Sequence, residues 1–254
     1  MPTFVIVSPN LMNVGLFIPC YVDQFYPQVG IASLQLLQKL GVSVTYPAQQ
    51  TCCGQPMANA GCERDSVGVY DHFVNTFADF DYVVAPSASC VYHVRKHFDI
   101  IDQTPAVQHV RERTYDLVQF ITEVLKVEQI EAHFPHRVGL HLSCHGQRGL
   151  RMATDSELTP VRDGQMRRLL TGVDGLELVD LDRYDECCGF GGLFCVSEAA
   201  VSARMGQDRV ADHVRNGAEV ITGGDVSCLM HLEGIVRRKN LPIRVLHIAE
   251  ILNG

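Results

Sequence analysis

Two stretches of the sequence carry adjacent cysteines followed by glycine: QTCCGQP at residues 50–56 and DECCGFGG at residues 185–192. Neighbouring cysteines close a disulfide on each other only with strained geometry. Their natural chemistry is metal ligation or thiol redox work, because a thiolate is both a soft ligand and a nucleophile. The glycine after each pair admits a tight turn and lets the backbone approach a bulky inorganic group. Gly191 and Gly192 extend this in the second stretch and could leave N–H groups facing sulfur, a contact that tunes redox potential.

The chain is written twice. VGLFIPC at residues 14–20 matches VGLHLSC at 138–144, and TCCG at 51–54 matches ECCG at 186–189. YVVAPSASC at 82–90 matches VITGGDVSC at 220–228, and FITEVL at 120–125 resembles HIAEIL at 247–252. Four matches in one order indicate an internal duplication, and two copies indicate two similar domains and not a solenoid. The polar segment at 126–136, which contains Pro135, is the expected join. The domains are expected at 1–130 and 131–254.

Each copy therefore supplies four thiols from three places. The first gives Cys20, then 31 residues, Cys52 and Cys53, then 36 residues, Cys90. The second gives Cys144, then 42 residues, Cys187 and Cys188, then 39 residues, Cys228. Four thiolates suit an iron–sulfur cluster or tetrahedral zinc. A metal-free thiol enzyme using one CCG pair as nucleophile is the rival, as is a zinc-stabilised interaction module. Single cysteines are often small core residues, but equivalent positions in both copies argue for a shared task. Cys62 and Cys195 have no counterparts, although Cys195 is close enough in sequence to Cys187 and Cys188 to be a spare ligand.

The elements that must position these thiols alternate. Residues 16–18, 43–46 and 82–85 read as short strands, and Ile31, Leu34, Leu37 and Leu40 between the first two recur at helical spacing, with Gly41 in place to end that helix. In the second copy 138–142, 176–179 and 220–222 read as strands and 158–170 as a helix. Strands alternating with helices predict an α/β fold of two pseudo-symmetric domains, each a small, mainly parallel sheet flanked by helices. Cys20 and Cys144 are expected to end strands. Cys90 and Cys228 are expected to open helices, whose N-terminal N–H groups stabilise thiolate.

Composition narrows the function classes. Across 254 residues the net charge is −8, which gives no electrostatic reason to bind nucleic acid or an anionic membrane. The basic clusters Arg167-Arg168 and Arg237-Arg238-Lys239 are short. FVIV at residues 4–7 is too short for a signal core, and no run nears the ~18–20 apolar residues of a membrane span. A cytoplasmic location is expected, where clustered cysteines bind metal or do redox chemistry more often than they form structural disulfides. No P-loop or G-x-G-x-x-G fingerprint is present. His93 and His97 could share a helix face, but without the glutamate of H-E-x-x-H they read as ordinary histidines. His141 and His145 bracket Cys144, and His145 could orient a metal centre or carry a proton.

The doubled C…CCG…C pattern resembles the cysteine-rich CCG-domain family, which includes the cysteine-rich subunit of heterodisulfide reductase and the glycolate oxidase iron–sulfur subunit. QTCCGQP, APSASC at 85–90, CCGFGG at 187–192, GDVSC at 224–228 and HIAE at 247–250 are similar, more narrowly, to the lactate utilization protein A family. This resemblance spans residue 14 to the end. It implies an iron–sulfur electron-transfer subunit, an oxidoreductase component of a complex that oxidises L-lactate to pyruvate. The implied companions are a ferredoxin-like iron–sulfur subunit and a third small subunit. The implied cofactors are up to two [4Fe-4S] clusters, with zinc in one or both sites as the alternative. A heterodisulfide-reductase-like thiol/disulfide redox subunit is a further alternative. In the heterodisulfide reductase branch each repeat ends in Cys-x-x-Cys, and five cysteines hold a noncubane cluster. Here Ser87 and Asp225 replace the first cysteine of that pair, so four thiols remain per copy. Ser87 or Asp225 could add an oxygen ligand, or Asp225 could cap the following helix.

Overall fold

The computed structural model describes residues 12–155 and 163–254. Strands β1 (Asn13–Leu16), β2 (Ser43–Thr45), β3 (Tyr82–Ala85) and β4 (Thr114–Asp116) form one sheet in the order β2-β1-β3-β4. Strands β5 (Arg137–Leu140), β6 (Glu177–Leu178), β7 (Val220–Gly223) and β8 (Arg244–His247) form a second in the order β6-β5-β7-β8. Every neighbouring pair is parallel. The fold is thus the expected α/β arrangement of two like sheets flanked by helices. The inner strands β1, β3, β5 and β7 read as mainly apolar, buried runs, as they must when helices cover both faces.

The outer strands β4 and β8 were not legible, because each mixes charged or polar residues with apolar ones over three or four positions and shows neither an apolar run nor a period. β1 and β5 end at Leu16 and Leu140, earlier than the expected 18 and 142. The next residue in each copy still makes a sheet-like bond: Phe17 N–H donates to the Val84 carbonyl at 2.9 Å and His141 N–H to the Thr222 carbonyl at 2.7 Å. Cys20 and Cys144 then open short helical turns and do not end strands. The helix Pro27–Lys39 stops as expected, with Gly41 at φ 78°. The helix expected at 158–170 is seen as Gln165–Thr171, and the start of that span, like FVIV at 4–7, lies outside the described residues.

Register also corrects one repeat match. β3–β4 pairing sets Ala85 against Asp116, and β7–β8 pairing sets Gly223 against His247. The counterpart of His247 is therefore Asp116, not Phe120. A slip of four residues preserves a helical apolar pattern, which is why sequence alone permitted it. Both residues cap a helix: Asp116 Oδ1 accepts the Val118 N–H at 2.9 Å, and His247 Nδ1 accepts the Ala249 N–H at 3.1 Å.

The two halves exchange their last helices. Ile248, Ala249, Ile251 and Leu252 of the C-terminal helix Ile248–Asn253 share a buried cluster with Leu36 and Leu37 of the first half. Asn253 Nδ2 donates to Gln35 Oε1 at 2.9 Å. Reciprocally, Gln165 Nε2 of the second half donates to Glu123 Oε1 of the first at 2.7 Å. The core is therefore continuous, and this fixes how the two sheets face each other. Leu252 is fully buried, so Leu252→Ala should cost about 2–5 kcal/mol. Thermal unfolding should remain a single transition at lower temperature; two separate transitions, only one of them shifted, would contradict a shared core.

Candidate metal centre

Ligand sites in open parallel sheets form beyond the carboxyl ends of the strands. Both sheets obey this rule, and their carboxyl ends face one another. A cavity of about 360 Å³ lies between them, and Cys20, Cys52, Cys53, Cys90, Cys144, Cys187, Cys188 and Cys228 all line it. Sites for small ligands and cofactors typically measure ~300–1,000 Å³. Cys20 starts the helix Cys20–Phe25 beyond β1, and Cys144 occupies the same place beyond β5. Cys90 and Cys228 are each the third residue of the helices Ala88–His97 and Val226–Arg238, beyond β3 and β7.

The CCG turns have the same geometry. Gly54 and Gly189 adopt φ 87° and 88°. A Cβ at Gly54 would come within 2.6 Å of the Tyr70 ring, and one at Gly189 within 2.7 Å of the Ser202 carbonyl. Glycine is required on both counts. The turn aims backbone N–H groups at sulfur: Gly54 N to Cys52 Sγ, Gly189 N to Cys187 Sγ and Phe190 N to Cys188 Sγ, each 3.4 Å.

Cys52 Sγ lies 3.6 Å from Cys20 Sγ. The hydrogen-bonding contact between the two thiols pulls Cys52 well below its ordinary range and pushes Cys20 up. Cys53 is pushed up by its hydrogen bonds with Cys52 and Cys90 and by burial, and Cys187 by its contact with Cys188. Burial and the neighbouring Cys187 raise Cys144. No lysine or arginine lines the cavity among the described residues. Eight thiols thus converge where side chains offer no cation to neutralise several thiolates at once. That donor set fits a soft metal centre. A ring nitrogen of His141 and the Sγ atoms of Cys188 and Cys228 also lie within 4.8 Å of one another.

The cysteine-rich domain family designated CCG matches residues 14–95 and 138–233. A lactate utilization protein A from an Exiguobacterium species is 40% identical over 247 residues, covering 95% of this chain and 97% of that protein. The protein of the same name from Bacillus licheniformis is 40% identical, covering 96% and 100%. The chain belongs to the lactate utilization protein A family. A hypothetical protein from Helicobacter pylori shares the fold at TM-score 0.63 with 10% identity; the alignment covers 95% of this chain and about half, 48%, of that one.

Ser87 and Asp225, which stand where the heterodisulfide reductase branch is expected to have a fifth cysteine, meet each other in this member of the family. They form an antiparallel bridge between the halves. Asp225 Oδ2 accepts the Ser89 N–H of the other half at 2.8 Å, and Oδ1 accepts Ser227 Oγ–H at 2.7 Å and Ser227 N–H at 3.3 Å. Asp225 therefore caps its own helix and the equivalent helix of the first half. Ser87 Oγ is 3.3 Å from Ser89 Oγ. Both residues line the cavity; the Asp225 side chain joins the halves, while the Ser87 side chain stays within its own.

The remaining candidates separate. Cys195 donates to the Gly192 carbonyl at 3.0 Å and does not line the cavity, and Cys62 is exposed. His93 is buried against Tyr70, whose hydroxyl lies 2.9 Å from His93 Nε2, and burial lowers its pKa to about 3. His97 is paired instead with Glu63 at 2.7 Å. His145 lines the cavity, with Nδ1 3.8 Å from Cys144 Sγ. Arg209 was not foreseen: it is fully buried, and its Nε donates to His141 Nδ1 at 3.2 Å. A lone arginine in a helix gives no sequence signal of this. Among the described residues no helix is long and apolar enough to cross a membrane.

Asp225→Ala removes one acceptor set that serves both halves. It should cost roughly 1–3 kcal/mol, read as a lower urea midpoint, while Ser87→Ala should shift the midpoint far less. Equal shifts would show that Asp225 is not the shared cap.

Proposed function

We propose that the chain is the iron–sulfur electron-transfer component of a lactate-utilising oxidoreductase system. The observation that carries this reading is the convergence of eight cysteines from both halves on one cavity. Cys20, Cys52, Cys53 and Cys90 would hold one centre, and Cys144, Cys187, Cys188 and Cys228 the other. Iron–sulfur clusters bound there would supply one-electron redox chemistry. The chain's own residues supply the rest. The CCG turns direct N–H groups at ligating sulfurs, the helix starts at Ala88 and Val226 set Cys90 and Cys228 beyond β3 and β7, and Asp225 holds the two thiol sets at a fixed separation. The role in lactate oxidation to pyruvate follows the family. The division into units at 1–130 and 131–254, a cytoplasmic location, and a ferredoxin-like iron–sulfur subunit with a third small subunit as partners are parts of the same proposal. Leu193 and Val196 line the cavity yet are 47% and 74% exposed, which suits a partner surface beside it.

Zinc is the second reading, favoured by the mixed set His141, Cys188 and Cys228. Cys53→Ala and Cys188→Ala separate the two ligand sets. Each should remove about half of the bound iron and sulfide from anaerobically purified protein, since each set is assigned one similar cluster. Unchanged iron in both variants would refute the ligand assignment.

A further inference from the structure

The two halves repeat the same backbone but not the same interior behind their thiols. Aligning VGLFIPC with VGLHLSC sets Phe17 against His141. Phe17 packs edge-on against Phe73 and Phe77 of the helix Val67–Phe77, at ring separations of 4.9 and 5.9 Å. His141 meets Arg209 of the equivalent helix Ala199–Arg215. The next match follows from the glycines of β1 and β5. A Cβ at Gly15 would meet Phe77, and one at Gly139 would meet His213. Phe73 and Phe77 are four residues apart, as are Arg209 and His213. The first half's triad of Phe17, Phe73 and Phe77 is thus replaced in the second by His141, Arg209 and His213.

All three polar residues are at most 1% exposed. Among the described residues, His141 Nε2 and both ring nitrogens of His213 have no hydrogen-bond partner. An unpartnered buried polar group costs stability, and the first half shows that an apolar triad fits this backbone. The polar triad therefore needs a use. Arg209 explains the direction of that use. Its Nη atoms donate to the carbonyls of Leu140 and Arg183 and to Asp212 Oδ2, which locks the guanidinium in place. Arginine can only donate. His141 Nδ1 must accept from it, so the proton of the neutral ring sits on Nε2.

We propose that His141 is a positioning residue for the second thiol set, presenting its Nε2–H to sulfur at Cys188 and Cys228, with Arg209 fixing the tautomer. His141 is then a donor to the centre and not a metal ligand. Donation to a ligating sulfur favours the more negative, reduced state, and the Arg209 charge behind the ring acts in the same sense. The second-half site is set at a higher potential than the first, where Phe17 offers no donor. The two centres are built to be unequal.

The potential difference rests on the iron–sulfur reading above; the tautomer does not. In metal-free protein, 15N chemical shifts of His141 should show protonated Nε2, and protonated Nδ1 would overturn the assignment whatever metal the protein carries. In the anaerobically purified protein, His141→Phe should retain iron and sulfide. It should lower one midpoint potential and leave the other, with a change of about tenfold in the redox equilibrium, or about 59 mV for one electron. His141→Gln, which can still accept from Arg209 and donate onward, should restore most of the shift. Loss of half the iron in both variants would make His141 a ligand, and retained iron with unmoved midpoints would make it structural; either overturns the proposal. Wild-type protein lacking iron and sulfide would instead refute the iron–sulfur reading, and the tautomer would still be decided by the 15N shifts.

Discussion

Thiolates gathered in one place repel each other, and eight sulfurs around one cavity with no lysine or arginine in its wall among the described residues need something else between them. Without it they must hold protons, which is the direction of most of the shifts found here: Cys20, Cys53, Cys144 and Cys187 are all raised, by contact with other thiols or by burial. This constraint organises the fold. Parallel sheets put their loops at one end, and two such ends are turned toward each other. The glycine turns at Gly54 and Gly189 then bring paired sulfurs and N–H groups together without a side chain intervening.

Holding two sheets in that orientation requires more than loops. Each half lends its last helix to the other's surface, so the core runs through both. Beyond the sheets' carboxyl ends, the equivalent residues Ser87 and Asp225 pair between the halves, and one carboxylate caps two helices that carry Cys90 and Cys228. A position that could have carried another thiol carries a cross-link between halves. The fold's symmetry then breaks behind the thiols, where an aromatic triad in one half becomes a histidine–arginine–histidine triad in the other. Duplication supplied the frame, and substitution within it made the two sites different.

Much of this was legible in the sequence because chemistry and repetition reinforced each other. A single cysteine says little, but eight at matching places in two copies identified the set that lines the cavity. The parallel architecture followed from apolar runs alternating with helical periods. The edge strands at Thr114–Asp116 and Arg244–His247 did not show, because their polar and charged residues break up any apolar run in segments too short for a period. The pairing of Phe120 with His247 failed for a related reason: a helix tolerates a four-residue slip. The replacement of Phe17 by His141 was visible in the aligned motifs, yet its meaning depended on Arg209 and His213. Those lie on a helix whose sequence shares no motif with its counterpart, so only the packing around Gly15 and Gly139 revealed them. Convergence of the two thiol sets on one cavity was likewise a matter of how the halves dock.

The most direct test is chemical: iron, acid-labile sulfide and zinc on protein purified without oxygen, with a visible spectrum before and after dithionite. The account predicts iron and sulfide in equal amounts and a brown colour that bleaches on reduction. Zinc without sulfide, in a colourless protein that dithionite leaves unchanged, would contradict it. The eight cysteines would then serve to hold the two halves together and not to carry electrons.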